Sequence, residues 1–303
     1  GRAPNAVLRL TRTRDPSPFA GGLRRLERNI VYPIADGAEH FFIDHGEDYA
    51  AFFRALGTAH FLLAHIGDEL VGTFCGVERP VRIGEETLPA AYLCDLKLAH
   101  GSRGRGIPRR MGLRALQELL TDPGLWRTRL VYGAAMRGDR GDVMRSVRGV
   151  HPGKLLGPQA TLQLFFVPPA TLAALPEGGP GVPHGVGLEL SPRAPDGLGV
   201  VSTAGRKDLR LVNAARDWPL QHLTACPAQW TDGIGTWLRR CGAALQAKGA
   251  RGEACFALDA RLSGHLEWLA GQGLVSGARC TVYAMWLTLP RRFAWVHLAT
   301  SEI

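Results

Sequence analysis

One run of residues carries most of the chemistry available to this chain: Leu93-Cys94-Asp95-Leu96-Lys97-Leu98-Ala99-His100-Gly101-Ser102-Arg103-Gly104-Arg105-Gly106-Ile107-Pro108-Arg109-Arg110. It reads as a strand, a glycine-rich turn and a helix start. Gly104 and Gly106 permit positive φ and close backbone approach. Successive N–H groups and a helix N-terminus then converge on one point, which suits a diphosphate. Arg103, Arg105, Arg109, Arg110 and Arg114 crowd the same segment, and guanidinium groups grip phosphate or carboxylate in pairs of hydrogen bonds. Pro108 removes one N–H from that cradle, yet proline is favoured in a first helical turn. Arg105 and Arg109 can supply the missing donor. The plain alternative is an ordinary strand–turn–helix junction whose arginines are solvated.

Asp95 is the second chemical feature. It interrupts a strand that otherwise reads apolar, and an unpaired buried carboxylate is costly enough to argue for a purpose. A neighbouring arginine or a solvent-facing position would explain it as structure alone. Arg137, Arg140, Arg145 and Arg148 are interleaved with Asp139 and Asp142, which favours a solvated charged face over an anion-selecting cleft. His40, His45, His60, His65 and His100 lack metal-ligand spacing. The six cysteines show no CxxC, so buried reduced thiols are expected and no metal. Trp218, Trp230, Trp237, Trp268, Trp286 and Trp295 fall in the second half, where core packing explains them more simply than base stacking.

The elements that must position these groups follow from periodicity. Val7–Leu10 reads as a strand, and Phe19–Ile34 and Asp48–Leu56 have helical spacing. Phe61–Ile66 and Leu70–Val77 flank the turn Gly67-Asp68-Glu69 as a hairpin. Ala90–Leu98 is the next strand. The helix Pro108–Leu120 places Met111, Leu116, Leu119 and Leu120 on one side and stops at Thr121-Asp122-Pro123-Gly124. Strands at Arg129–Ala135 and Thr161–Val167 flank a short helix at Asp142–Val147. Residues 168–185 are rich in Pro and Gly and read as a linker. Beyond them come strands at Asp208–Val212, Glu253–Leu258 and Arg279–Leu289, with helices at Gly235–Lys248 and Ser263–Gln272. The glycine spacing recurs in Trp230-Thr231-Asp232-Gly233-Ile234-Gly235.

The pattern Arg103-Gly104-Arg105-Gly106-Ile107-Pro108 after a strand resembles the acyl-CoA pyrophosphate loop of the GNAT superfamily of N-acyltransferases, with proline where that family usually has glycine or alanine. The resemblance covers roughly residues 5 to 167. Its specific part is 90–120, and the remainder supports it by element order. It implies an α/β (α+β) fold with a mixed, mostly antiparallel sheet flanked by helices. The organisation expected is a GNAT acyltransferase domain over 1–167, a Pro/Gly-rich linker over 168–185 and a second, degenerate GNAT-like domain over 186–303, similar in outline to tandem GNAT enzymes.

The resemblance also implies roles. Leu96, Lys97 and Leu98 hold the place where a splayed strand pairs with the pantetheine arm, and a backbone N–H near Leu98 would polarise the thioester carbonyl. Arg103, Gly104, Arg105, Gly106, Ile107, Pro108 and Arg109 would hold the diphosphate of acetyl-CoA. Asp95 would take a proton from the incoming amine, directly or through water. The family's tyrosine acid has no counterpart in Arg137–Val150, where Ser146 is the sole hydroxyl; Tyr132 lies on the strand before.

Length, 46% hydrophobic and 21% charged residues fit a globular protein with room for two domains. No apolar run nears the ~18 residues of a membrane helix, and Gly1–Asn5 shows no signal-like segment, so a cytoplasmic location is expected. The net charge is +9, and Lys97, Lys154, Lys207 and Lys248 are the only lysines among 36 basic residues. A genome rich in G and C gives the same arginine bias. The expected function is N-acetyl transfer from a CoA thioester to a small-molecule or peptide amine. Two alternatives stand beside it: a basic nucleic-acid- or ribosome-associated protein, disfavoured because no RNA-binding aromatic motif is present, and an acyl-CoA-binding GNAT protein without activity.

Overall fold

The strands of the central meander are largely apolar, the strand Thr58–Ile66 burying both faces with Phe61 and Leu63 on one side and Leu62 and Ala64 on the other, and left-handed Gly67 and Gly84 let the chain reverse at the turns. The computed structural model describes residues 7–34, 39–102, 104–136 and 152–303. In the first half these form β1 (Leu8–Thr13), α1 (Ala20–Arg28), β2 (Tyr32–Ile34), β3 (Glu39–Asp44), α2 (Tyr49–Leu56), β4 (Thr58–Ile66), β5 (Glu69–Ile83), β6 (Glu86–Leu98), α3 (Ile107–Thr121), β7 (Leu130–Met136) and β8 (Gly157–Val167). The second half contributes α4 (Pro169–Ala173), β9 (Gly187–Glu189), β10 (Val200–Ser202), β11 (Asp208–Leu211), β12 (Arg216–Asp217), β13 (Leu220–Leu223), α5 (Ile234–Ala247), β14 (Glu253–Asp259), α6 (Ser263–Gly271), β15 (Ala278–Trp286) and β16 (Trp295–His297).

Local rules account for most boundaries. Asp48 caps α2 by accepting from the Ala50 amide at 3.1 Å. Helical spacing was expected from Phe19 to Ile34, but α1 stops at Arg28 and Tyr32–Ile34 becomes a strand paired with β3. Pro33 cannot donate within a helix, so the chain extends there. The segment 142–147, read as a short helix, lies outside the described residues.

The main sheet runs β1-β4-β5-β6-β7-β15-β8-β14-β13-β10 and is mostly antiparallel, with helices on its faces. Along that path two pairs are parallel, β6 with β7 and β13 with β14; off it, β9 pairs with β5 antiparallel and with β16 parallel. The halves exchange strands at the centre: β15, from the second half, sits beside β7, while β8, from the first, sits beside β14. One continuous sheet therefore spans both halves. A smaller sheet, β12-β11-β3-β2, joins a hairpin of the second half to the α1–α2 connection of the first.

Two principal cores result. One packs Leu23, Phe53, Phe61, Leu63 and Val77 with Leu188, Val296 and Leu298 from the second half; the other centres on Phe165, Leu172, Trp237, Leu238 and Phe256. Residues 168–185 are not a loose tether, since α4 falls within them and Leu172 and Leu175 are buried in the second core.

Candidate active site

The parallel pair β6–β7 is a fork. Its ladder runs from Ala90 opposite Leu130 to Leu93 opposite Gly133 and then ends, although β6 continues to Leu98 and β7 to Met136. Gly133 marks the parting point: a Cβ there would lie 2.9 Å from the Leu93 carbonyl oxygen. Beyond it β7 follows β15. Among the described residues nothing pairs with the β7-facing edge of residues 94–98, so its main-chain groups are available to an extended ligand. The other edge of β6 carries a bulge, where Asp95 and Leu96 lie opposite the single residue Phe74. Asp95 takes φ +52° there, a left-handed conformation that is rare outside glycine.

The glycine turn leads directly from the open end of the fork into α3. Gly104 and Gly106 take φ +78° and +67°, and a Cβ at either would meet open space. Gly106 caps α3, so the amides of its first turn face outward with Pro108 the one missing donor. Ile107 is 1% exposed and packs with Met111 against Leu62, Ala64 and Val71; its side chain anchors the helix and only its amide can face a ligand. Of the apolar stripe expected on α3, Met111 is buried, Leu116 and Leu119 are half-buried, and Leu120 is exposed. Arg105 and Arg109 are exposed, and neither has a carboxylate within ion-pair distance among the described residues. Arg103, expected at the heart of this cradle, lies outside the described residues, as do Arg137, Arg140, Arg145, Arg148 and Ser146.

Inside the fork's wall lies a buried charge cluster. Lys97 Nζ donates to Asp95 Oδ1 and, at 3.4 Å, to Glu27 Oε1. Tyr49 Oη donates to Asp95 Oδ2, and the His45 ring bonds Glu27 through Nδ1. Burial alone would raise the Asp95 pKa, yet the Lys97 ammonium and the His45 ring, with hydrogen bonds from Lys97 and Tyr49, hold it below the usual carboxylate range. Burial also opposes the Lys97 charge, but Asp95 and Glu27 outweigh it and keep the ammonium above its ordinary value. The Tyr49 hydroxyl is pushed well above the normal phenol range by burial and by Asp95. The Lys97 side chain is thus committed to this cluster, so only its backbone can face a ligand in the fork. Leu96 is 52% exposed and Leu98 packs toward Ile107 and Met111.

The second half closes the base of the fork. Tyr92 and Tyr132 stack with centroids 4.9 Å apart beside the last paired residues. Tyr92 donates to the Glu302 carbonyl, and Arg79 pairs with the buried Glu302 carboxylate at 2.8 Å. Lys207, from the turn before β11, sits over the Phe52 ring at 5.0 Å and donates to the main-chain oxygens of Ser301 and Ile303. It is deeply set but keeps part of its surface open. Burial lowers its pKa to about 8. Sequence reasoning passed over Glu27, His45, Tyr49 and Lys207. For Lys207 a signal existed: lysine is rare in this chain, and two of its four lysines meet here.

The corresponding pair of the second half, β13–β14, is also parallel and its ladder ends at His222 opposite Cys255. There the opening is filled from within. Thr300 Oγ1 contacts His222 Nδ1 at 2.9 Å and donates to the Cys255 carbonyl at 3.0 Å, and the Val296 amide donates to Asp259 at 2.7 Å. The α5 N-terminus is occupied as well: Ile234 and Gly235 amides donate to the Pro180 and Gly178 carbonyls at 2.9 and 2.8 Å. A Cβ at Gly233 would lie 2.3 Å from the Gly178 oxygen.

All six cysteines are free. Among the described residues no cluster of His, Cys, Asp or Glu is arranged to hold a metal, and no helix is long and apolar enough to cross a membrane.

No family model matches this chain, and no curated protein matches it. Solved structures do. A tandem GNAT protein from the clavulanic acid biosynthesis pathway is 12% identical, with 94% of this chain and 100% of that one covered at a TM-score of 0.51. Saccharomyces cerevisiae N-myristoyltransferase with bound myristoyl-CoA is 10% identical, with coverage of 95% and 83% and a TM-score of 0.50. At such identities the likeness concerns the fold. This chain has the GNAT fold in its tandem form.

Proposed function

We propose that the protein is an acyl-CoA-dependent N-acyltransferase, with its first half holding the donor and its second half walling the acceptor side. The observation that carries this reading is the fork between β6 and β7, unpaired along residues 94–98 among the described residues and leading into the amides of Gly104, Gly106 and α3. In this reading the diphosphate sits against the amides of residues 104–107 and the Arg103, Arg105 and Arg109 guanidinium groups. The pantetheine arm lies along Leu96, Lys97 and Leu98 as an added strand. The thioester carbonyl accepts from a main-chain N–H on the unpaired edge of β6, toward the base of the fork.

The neutral acceptor amine attacks the carbonyl carbon as one of its N–H protons passes to Asp95, directly or through water. A tetrahedral oxyanion forms, held by the strand amide, and collapses as the C–S bond breaks. Asp95 is held in its charged, proton-accepting form by Lys97 and Tyr49, and it passes the proton it takes on to water. The donor is acetyl-CoA in the simplest version, and the acceptor a small-molecule or peptide amine. Such chemistry has no use for a metal and fits the cytoplasm, where acyl-CoA is made.

Calorimetry with acetyl-CoA tests the reading. The double substitution Arg103→Ala and Arg105→Ala should abolish binding while the far-ultraviolet circular dichroism stays native. Unchanged affinity would remove the cradle from the account. An RNA-binding protein would instead show steeply salt-dependent RNA affinity and no response to CoA. A binding-only GNAT protein would take up acetyl-CoA and release no CoA thiol with any amine.

A further inference from the structure

We propose that Lys207 is the general acid of the transfer, delivered by the second half to protonate the departing CoA thiolate. The assignment rests on the acyl-transfer reading and supplies the acid that the segment after β7 does not visibly offer.

Geometry carries it. Lys207 immediately precedes Asp208, which pairs with Asp44 of β3 just ahead of His45 and Tyr49, and its bonds to Ser301 and Ile303 flank Glu302, whose carbonyl accepts from Tyr92 at the base of the fork; the charges of Asp95 and Cys94 act on it there. It lies over Phe52 of α2, on the same face of the sheet as the Tyr49–Asp95 contact. Its hydrogen bonds go to main-chain oxygens of Ser301 and Ile303, and among the described residues no Asp or Glu side chain is within ion-pair distance. The titratable groups whose charges interact with it are Asp95, Cys94 and Lys97 from β6, Glu302 from the terminal turn, His222 from β13 and Cys255 from β14. Burial and the Lys97 charge weaken its ammonium; Asp95 and Glu302 moderate the effect, and the balance is a pKa of about 8. That value lies close to the ~8.5 of an ordinary thiol, so a proton passes between the two with little driving force lost.

Composition points the same way. This chain uses arginine for 32 of its 36 basic residues. Arginine does not give up its proton near neutral pH, whereas a buried lysine does. Lysine at this position provides what arginine cannot.

The step balances simply. As the tetrahedral intermediate collapses, the C–S electron pair goes to sulfur, and the Lys207 ammonium transfers one proton to that sulfur. The products are the amide and free CoA thiol. Lys207 is left neutral and is recharged from solvent, while Asp95 releases the proton taken from the amine.

Two measurements on the full chain test this. The first is competitive labelling at pH 8 with trace acetic anhydride, read by mass spectrometry at the four lysines, with and without the inert thioether acetonyl-CoA. Lys207, though less exposed than Lys154 and Lys248, should label at least as readily as they do, and acetonyl-CoA should shield it alone. The second is CoA release from acetyl-CoA with a pool of amino acids and polyamines, for the wild type, Lys207→Arg and Lys207→Met. Both variants should keep acetonyl-CoA affinity within about twofold and lose about 30- to 100-fold in turnover, within the range for general acid catalysis. The wild-type rate should fall as pH rises through 8, and that alkaline limb should vanish in both variants. Labelling that ignores acetonyl-CoA, or a Lys207→Arg protein that keeps its rate and its limb, overturns the assignment and leaves the acyl-transfer reading standing. A wild type that does not bind acetonyl-CoA removes both.

Discussion

The two halves of this molecule answer the same structural question in opposite ways. Each contains a parallel strand pair that parts, followed by a glycine turn and a helix. In the first half, among the described residues, no strand pairs with the β7-facing edge of residues 94–98, and a Cβ at Gly104 or Gly106 would meet open space. In the second half the chain supplies its own ligand, Thr300 in the opening and the Gly178 and Pro180 carbonyls on the helix amides. The polar interiors differ in kind as well. The first half buries the Lys97 ammonium between the carboxyl groups of Asp95 and Glu27. The second buries neutral imidazoles, since burial pushes His222 down to about 3 and His297 to about 4. In the second half the chain itself supplies the partners; in the first we assign that place to the acyl donor.

Breaking the charged interior should have the largest effect. Lys97→Met strands Asp95 and Glu27 as buried anions, which should cost about 3–5 kcal/mol of stability in a urea titration. A loss below 1 kcal/mol would mean the cluster is not held as described. The neutral interior of the second half should show itself on acidification. His222 and His297 bind protons near the ordinary 6.5 when unfolded but much lower when folded, so the unfolded state gains protons first. Stability should be complete above pH 6.5 and fall below it by about 1.4 kcal/mol per pH unit for each histidine, continuing down to the folded-state values. Replacing both by Asn should flatten that slope.

The glycine turns allow a more selective comparison. Gly106→Val strains a left-handed residue and projects its side chain into the open cradle. Acetyl-CoA affinity should fall about 100-fold, which is about 2.7 kcal/mol, with the melting temperature little changed by comparison. The smallest effect belongs to the filled turn. Thr236 Oγ1 accepts from the Gly178 amide at 2.8 Å, so Thr236→Val should lower stability by about 1 kcal/mol and leave acetyl-CoA affinity untouched.

Local structure was legible where a period or a turn rule acts alone. The hairpin around Gly67, the helix opened by Gly106 and Pro108, and α5, β14, α6 and β15 were all expected within a few residues of where they lie. The glycine cradle was legible for the same reason, because its function is written in consecutive residues. What was not legible depends on contacts between distant parts of the chain. Nothing in the order of elements reveals that β15 inserts beside β7, since antiparallel pairing carries no local mark. Glu27, Tyr49 and Lys207 join the site from 46 or more residues away from Asp95, and their types alone do not announce a meeting. The segment 168–185 has the composition of a linker but spends its carbonyls on α5, because capping needs only backbone and so leaves no side-chain signature.

The difference between an open half and a self-filled half is tested most directly by titrating the full chain with acetyl-CoA in a calorimeter. The account predicts one molecule bound per chain, lost on Gly106→Val. Two molecules per chain, or a single site indifferent to Gly106, would contradict it.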